Sequence, residues 1–325
     1  VLCLARDLRW GRIGETFGED PYLIGELGAA IIRGYQGKGL DDPTAVLATA
    51  KHYAGYSETQ GGRDASEADI SRRKLRSFFL PPFERAARAG VMTFMTGYQS
   101  MEGVPSTANR WLLTEVLKDE WGFRGVVVTD WDNVGRLIYE QQVCATFADA
   151  AIVALRAGND IIMTTPMFYE GALEAVHTGR LAEAEIDAPC ARLLALKFRM
   201  GLFENPRRPN LDRAAVEVSR PDHRDVNLAA ARQSLVLLQN NGLLPLDPAV
   251  VKSIAVVGPN ADDDLQQLGD WSLGSFQHPP EAGKQPREKT TTVLDGIQAL
   301  APSGTAISYQ RGCSIIDPDL SGIPA

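Results

Sequence analysis

Short apolar runs alternate with amphipathic stretches along the chain. Five of these runs have the length and the β-branched content of buried strands, at residues 1–5, 46–53, 91–98, 125–131 and 159–163. Between them, apolar residues recur at helical spacing over 21–37, 71–89 and 109–121, and Pro81 and Pro82 are expected to divide the second helix. Strands that alternate with helices of this length predict βαβ units and a parallel sheet, and therefore an α/β fold.

Most of the predicted strands end in polar, charged or aromatic side chains. Asp130 follows the run Val126–Val128, Lys51 and His52 end the second strand, and Tyr98 ends the third. The carboxyl ends of parallel strands meet on one face, where α/β barrels place their active sites, so we expect a shared site there. The alternative for Asp130 alone is a strand-ending residue that caps the next helix.

The pattern changes near residue 204. A predicted helix over 188–203 is followed by two prolines, Pro206 and Pro209, then by a predicted helix over 222–239 and a strand over 253–258. We therefore predict a barrel domain over 1–203, a linker over 204–221 and the beginning of a second α/β domain over 222–325.

Composition and charge exclude several roles. The 325 residues carry a net charge of −8, which argues against binding to nucleic acid. No apolar run reaches the about 18 residues that a membrane helix needs. The four cysteines form no CxxC pair and the four histidines, the last being His278, are far apart, so no metal site is expected. Cys3 and Cys190 lie in apolar contexts and are expected to be buried thiols.

Several sequence blocks occur in an order that resembles glycoside hydrolase family 3, the group of β-glucosidases and β-xylosidases. They are Arg-Asp-Leu-Arg-Trp-Gly-Arg over 6–12, Phe-Gly-Glu-Asp-Pro-Tyr over 17–22, Lys-His-Tyr-Ala-Gly over 51–55, the pair Met95 and Tyr98, Thr-Asp-Trp over 129–131, and Asn-Asn-Gly-Leu-Leu-Pro-Leu over 240–246. The resemblance implies a (β/α)8-type barrel, partial in this chain, followed by the start of an α/β sandwich domain. Because the chain begins inside an apolar strand, we expect it to be a piece of a larger protein that lacks about three barrel strands.

The resemblance also implies a retaining mechanism, which uses two carboxyl groups about 5–5.5 Å apart. It assigns Asp130 as the nucleophile, and the residues that it implies at the sugar subsite are Arg12, Lys51, His52, Arg63, Met95, Tyr98 and Trp131. Arg63 has an equal alternative as a solvated loop residue. The general acid/base of the β-glucosidase branch is a Glu of the second domain, which we expect beyond residue 325. The loop after His52 carries Glu58, Asp64 and Glu67, but it lacks the His that the N-acetylglucosaminidase branch uses.

Two details at the predicted site need explanation. Asp132 shares a strand face with Asp130 because positions i and i+2 point the same way, so it is a rival nucleophile unless it caps a helix starting near Val134. Lys51 and His52 are neighbours that would face opposite sides of a regular strand. The resemblance implies a non-proline cis peptide near this point, which would let both reach one sugar.

These observations predict a retaining, exo-acting β-glycosidase that releases terminal glucose, with β-xylosidase or mixed specificity as the nearest alternative. A catalytically silent sugar-binding module is the alternative from another class. An oligosaccharide or β-glucoside is the expected partner, with no cofactor, metal, nucleic acid or membrane, and the oligomeric state stays open. The resemblance favours a periplasmic or secreted protein over a cytoplasmic one.

Overall fold

The computed structural model describes residues 1–63, 66–218, 220–269, 271–272 and 287–315. Within it the chain divides into two compact units, Val1–Leu211 and Asp212–Ala325, and the division falls inside the predicted linker. Asp64 and His278, which the sequence analysis considered, lie outside the described residues. Among the described residues, no helix combines the length and the apolar character needed to cross a membrane.

The first unit contains a parallel sheet of three strands, which are β1 (Thr49–Tyr53), β3 (Thr93–Thr96) and β6 (Val126–Val128) and lie side by side in that order. Strand β3 pairs with β6 from Thr93↔Val126 to Met95↔Val128. On one side the Leu2 amide donates to the Lys51 carbonyl at 2.6 Å, and on the other Val128 forms a parallel bridge with Ile161. The three central strands predicted from the sequence are confirmed, and the flanking segments follow the sheet without forming regular strands.

A second, smaller sheet was not predicted. It consists of β2 (Glu67–Ala68), β4 (Ser100–Met101) and β5 (Val104–Pro105), with β2 parallel to β4 and β4 antiparallel to β5. Each strand has two residues, which is too short for alternation of apolar and polar positions to be recognised.

Helices cover the sheet of the first unit. They are α1 (Pro21–Gln36), α2 (Arg72–Lys74), a π-helix over Leu75–Phe79, α3 (Pro81–Arg88), a π-helix over Trp111–Glu120, α4 (Arg136–Tyr139), α5 (Phe147–Ala157), α6 (Phe168–His177) and α7 (Ala184–Arg199). Asp20 caps α1, accepting from the amides of Tyr22 and Leu23, with Pro21 at the first position. The helices predicted over 21–37, 71–89 and 109–121 are confirmed, including the break before Pro81.

The core of this unit lies between the sheet and the helices. Tyr53 of β1 contacts the rings of Phe83 and Phe94 at 5.2 Å each, edge to face, and all three side chains are fully buried. Burial of each such ring contributes about 1.5–3 kcal/mol. These packed rings hold β1 and β3 against the helices, and therefore hold in place the residues that follow the two strands at their carboxyl ends.

A buried carboxylate secures the start of β6. The Asp160 side chain is 0% exposed and pairs with Lys118 at 3.1 Å and with Arg192 at 2.6 Å. Asp160 Oδ2 also accepts a hydrogen bond from the Val127 amide at 2.8 Å. Asp160 thus ties α7 and the Trp111–Glu120 helix to the strand, which is a structural role.

The second unit contains a parallel pair of strands, β7 (Ser253–Val257) and β8 (Ala306–Gln310). Its helices are α8 (Leu211–Glu217), which crosses the division, α9 (Pro221–Ser234), α10 (Asp264–Leu268) and α11 (Val293–Leu300). Thr292 and Asp295 form a capping box at the start of α11. The predicted strand over 253–258 is confirmed, and the predicted helix over 222–239 ends earlier, at Ser234.

Candidate active site

Asp130 lies directly beyond the carboxyl end of β6 and is 9% exposed. The residue before it is anchored on both sides, because the Thr129 amide donates to the Ile161 carbonyl at 3.0 Å and the Thr129 hydroxyl accepts from the Met163 amide at 2.9 Å. The backbone that carries the carboxylate is therefore fixed before any contact of the carboxylate itself is counted.

The two oxygens of Asp130 have different surroundings. Oδ1 accepts the Tyr98 hydroxyl at 2.9 Å and the Trp131 amide at 2.7 Å. Oδ2 lies 3.4 Å from His52 Nε2, which is long for a hydrogen bond. Donors to a carboxylate stabilise its negative charge, so Oδ1 is held in place while Oδ2 is the less engaged oxygen.

His52 is 1% exposed and reaches Asp130 from the adjacent part of the sheet. The peptide bond between Lys51 and His52 is cis, as the resemblance implied. Burial, and then the positive charges of Arg12 and Lys51, hold the pKa of His52 well below its ordinary value. The imidazole is therefore neutral at pH 7 and leaves the charge of Asp130 uncompensated.

Tyr56 is buried behind these residues and was missed by the sequence analysis. Its ring contacts His52 at 4.9 Å, Trp10 at 5.4 Å and Tyr98 at 6.0 Å between centroids. In the sequence it follows Gly55 as one more aromatic residue, and its spacing carries no signal that separates it from the core. Its position makes it the common wall of the site.

Arg12 joins the site through Tyr56. Its Nη1 donates to the Tyr56 hydroxyl at 3.4 Å, and its Cζ lies 5.5 Å from the centre of that ring. Glu15 holds the other side of the guanidinium with bonds of 2.6 and 2.9 Å. Arg12 therefore supplies a fixed positive charge near His52.

Tyr98 is protonated at neutral pH and acts as a donor. Burial, followed by the charge of Asp130 and the hydrogen bond to it, raises the pKa of Tyr98. The Tyr98 carbonyl accepts Gln141 Nε2 at 2.7 Å, and the Arg136 guanidinium covers the ring with Cζ 4.5 Å from its centre. The hydroxyl is thus aimed at Asp130 by contacts on its backbone and on its ring.

Of the remaining predicted subsite residues, Trp131 bonds to the carboxylate through its backbone amide alone. Met95 is half-buried and pairs with Val128 across the sheet, Trp131 is 61% exposed beside Asp130, and Lys51 is half-buried at the cis peptide. Arg63 is exposed on the loop after Gln60–Gly62. Within the described part of the chain, no hydrogen bond or ion pair connects Asp130 with Lys51, Arg63 or Met95.

The acids of the loop after His52 serve structural contacts. Glu58 pairs with Arg6 at 2.8 Å and with Lys74 at 2.6 Å. Glu67 accepts from the Ser100 hydroxyl and from the Gly103 amide. Neither carboxylate contacts Asp130 among the described interactions, so neither is a candidate general acid.

Two expectations about other side chains were wrong. Asp132 does not cap a helix, because α4 starts at Arg136 after Gly135 without a side-chain cap, and Asp132 instead accepts from the Tyr139 hydroxyl. Its φ of 50° turns the chain out of the strand direction, so the i and i+2 rule does not apply. Cys190 is exposed on α7, whereas Cys3 is buried and burial raises the pKa of its thiol to about 11.

Comparison with known proteins adds an independent line of support. Residues 1–196 match the family model described as the glycosyl hydrolase family 3 N terminal domain, and residues 235–315 match the one described as the glycosyl hydrolase family 3 C-terminal domain. The two matches cover the two units separately.

Individual relatives are named as glycosidases. The chain is 38% identical to a β-xylosidase of Formosa agariphila over 98% of its length and 45% of the relative's, and 34% identical to a periplasmic β-glucosidase of Salmonella typhimurium over 96% and 40%. A solved β-glucosidase involved in saponin metabolism, from intestinal bacteria, superposes with a TM-score of 0.93 at 55% identity, covering 99% of this chain and 43% of that one. The chain thus spans less than half the length of these proteins.

Proposed function

The chain belongs to glycosyl hydrolase family 3, and from this membership and the site geometry we propose that it carries the nucleophile of a retaining, exo-acting β-glucosidase. The observation that supports this role most directly is the carboxylate of Asp130, fixed through one oxygen by Tyr98 and by the Trp131 amide. A sugar-binding module has no need of a strand-end carboxylate oriented in this way, so the geometry favours an enzyme over a silent module.

In the proposed first step, Asp130 Oδ2 attacks the anomeric carbon of a terminal β-glucose. The C–O bond to the leaving group breaks, its electron pair goes to the glycosidic oxygen, and a general acid protonates that oxygen. In the second step, water attacks the same carbon, gives up a proton to the conjugate base, and releases Asp130 as a carboxylate. Two inversions return the β configuration. We assign no described residue as the general acid.

The neighbours of Asp130 support this chemistry in separate ways. Neutral His52 is able to bond a sugar hydroxyl without quenching the nucleophile's charge, and Arg12 and Lys51 add positive charge at the glycone side. We propose that these three residues, together with Arg63, Met95, Tyr98 and Trp131, line the sugar subsite. The exposed ring of Trp131 is placed to cover the apolar face of a sugar or of an apolar aglycone.

Glucose is proposed over xylose because the 55% identical solved relative is a β-glucosidase, and its involvement in saponin metabolism suggests glucosides of apolar aglycones as substrates. A β-xylosidase remains the second candidate, since the Formosa relative carries that name. The two sugars differ in the hydroxymethyl group at C5. The ratio of kcat/KM for 4-nitrophenyl β-D-glucoside and β-D-xyloside in the intact protein decides between them, and a ratio below one would favour xylose. The Salmonella relative's name supports a periplasmic location.

Replacement of Asp130 tests the assignment of the nucleophile. In the intact protein, Asp130→Asn should lose at least about 10³-fold in kcat while glucose binding by calorimetry persists. In Asp130→Gly, added azide should restore turnover of an aryl β-glucoside and give the α-glucosyl azide, because azide attacks once from the vacated side. Asp132→Asn is the matched control, and its activity should stay within a few-fold of the parent's. A loss confined to Asp132→Asn would reassign the nucleophile.

A further inference from the structure

Arg136 covers the side chain that holds the proposed nucleophile in place. Its guanidinium lies over the face of Tyr98, with Cζ 4.5 Å from the ring centre. That distance is the shortest of the cation–ring contacts in the described residues. The same ring carries the hydroxyl that donates to Asp130.

The guanidinium is held in this place from one side. Nη1 pairs with Glu140, the residue that follows α4. Nε is buried and has no hydrogen-bond partner within the described part of the structure, which is unusual for an arginine because an unmatched buried donor is costly. The orientation over Tyr98 is thus maintained although it leaves one donor unmatched, which indicates that the stacking itself matters.

A cation above an aromatic face withdraws electron density from the ring. For Tyr98 this makes the hydroxyl a stronger donor to Asp130 Oδ1. The charge of Arg136 also lowers the pKa of Tyr98, against the larger effect of burial, which raises it. Both effects strengthen the Tyr98 hydroxyl as a donor to the Asp130 carboxylate.

We propose that Arg136 is a positioning residue for the nucleophile, acting through Tyr98 rather than by touching the sugar. The proposal rests on the proposed function, in which Asp130 regains its negative charge when the glycosyl-enzyme is hydrolysed. A stronger donor at Oδ1 stabilises that departing carboxylate. Arg136 therefore assists the second chemical step more than the first.

Charged and titratable groups from the neighbouring elements surround this contact. Those that face Asp130 or the residues contacting it are Lys51 and His52 of β1, Arg12 and Tyr56 behind them, Tyr98 after β3, Arg136 and Tyr139 of α4, and Asp132 and Glu140 before and after α4. In Arg136→Gln the carboxylate of Glu140 loses its partner and the Tyr98 ring loses the cation above it. The Tyr98 hydroxyl then becomes a weaker donor to the Asp130 carboxylate.

The test compares Arg136→Gln and Arg136→Lys with Arg72→Gln in the intact protein. Arg72 lies 4.6 Å over the ring of Trp111, so it makes the same kind of contact away from the nucleophile. We expect Arg136→Gln to lower kcat for aryl β-glucosides about 3- to 30-fold with a parallel fall in KM, so that kcat/KM changes little. Arg136→Lys should restore part of kcat and of KM, and Arg72→Gln should leave both at the parent's values.

Several results would overturn the proposal. They are an Arg136→Gln variant with the parent's kcat and KM, an equal loss in Arg72→Gln, or an Arg136→Lys variant as impaired as the Gln variant, which would indicate packing alone. Thermal melting of each variant separates unfolding from these effects. Persistent turnover in Asp130→Gly would reject the proposed function and this proposal with it, whereas loss in Asp130→Gly with a silent Arg136→Gln would reject the role of Arg136 only.

Discussion

The hydrogen bond from Tyr98 to Asp130 leads to a prediction about which chemical step limits turnover. Tyr98→Phe removes the hydroxyl that lies 2.9 Å from Oδ1 and leaves the Trp131 amide as the remaining donor at that oxygen. The ring, its contact with Tyr56 and its stacking under Arg136 are kept. The change is therefore confined to one donor.

The size of the effect follows from the charge of the acceptor. A hydrogen bond to a charged group contributes about 1.5–3 kcal/mol, which corresponds to about 10- to 150-fold in rate if it is fully expressed. In the first step Asp130 loses its charge, so the Tyr98 hydroxyl stabilises the reactant carboxylate at least as well as the transition state. Removal of the hydroxyl therefore changes the rate of the first step little. In the second step the carboxylate is regenerated, so the loss is expressed directly. We expect kcat to fall by at least about 10-fold and KM to fall in proportion.

Steady-state and stopped-flow kinetics with 2,4-dinitrophenyl β-glucoside measure this directly. In Tyr98→Phe a burst of dinitrophenolate close to one equivalent per site should precede a slow steady state, because the glycosyl-enzyme accumulates. Tyr139→Phe is the matched control, since the Tyr139 hydroxyl donates to the neighbouring carboxylate Asp132. Equal losses in kcat and kcat/KM without a burst would refute the reasoning, because they would place the effect in the first step.

Two further predictions concern stability. The pKa of His52 is held well below its ordinary value in the folded chain, so below about pH 6.5 the unfolded chain binds a proton there that the folded chain does not. The free energy of unfolding should therefore fall as pH is lowered, by at most about 1.4 kcal/mol per pH unit from this group. Urea titrations at several values between pH 5 and pH 7 give the free energy of unfolding at each pH. That free energy should depend less steeply on pH in His52→Gln than in the parent or in the control His177→Gln, which replaces an exposed histidine, and the same dependence in His52→Gln and the parent would contradict the account. Asp160→Ala should cost about 3 kcal/mol because it leaves two cations without their buried partner. Glu120→Ala, which breaks an exposed ion pair with Arg76, should lower the free energy of unfolding by less than about 1 kcal/mol. Similar losses in Asp160→Ala and Glu120→Ala would show that the burial of Asp160 is unimportant.

The strands that carry the site could be predicted because they are buried on both faces. Val126–Val128 is buried, and this β-branched run leads through Thr129 to Asp130 as the sequence indicates. The cis peptide at Lys51 followed from the resemblance, since nothing in the local residues demands it. The three central strands and their polar ends were therefore accessible from sequence.

Other features depend on contacts between distant residues. Tyr56 forms the wall of the site through rings that lie up to 46 positions away in the sequence, such as Trp10, and an aromatic residue alone does not reveal such partners. The prediction that Asp132 shares a strand face with Asp130 was wrong, because the positive φ of Asp132 interrupts the alternation of side chains. Cys190 was judged by its apolar neighbours, but in α7 the facing is set by helical periodicity, which turns it to solvent. Arg136 gains its contact with Tyr98 only when α4 folds back over the site.

A covalent trapping experiment tests the central assignment. A 2-deoxy-2-fluoro β-glucoside with a good leaving group slows both steps, because the contacts to the 2-hydroxyl that strengthen in the transition state are lost, and with that leaving group the glycosyl-enzyme accumulates. Peptide mapping by mass spectrometry of the intact protein should then find the fluoroglucosyl group on Asp130. An adduct on any other carboxylate, or full turnover without an adduct, would contradict the account.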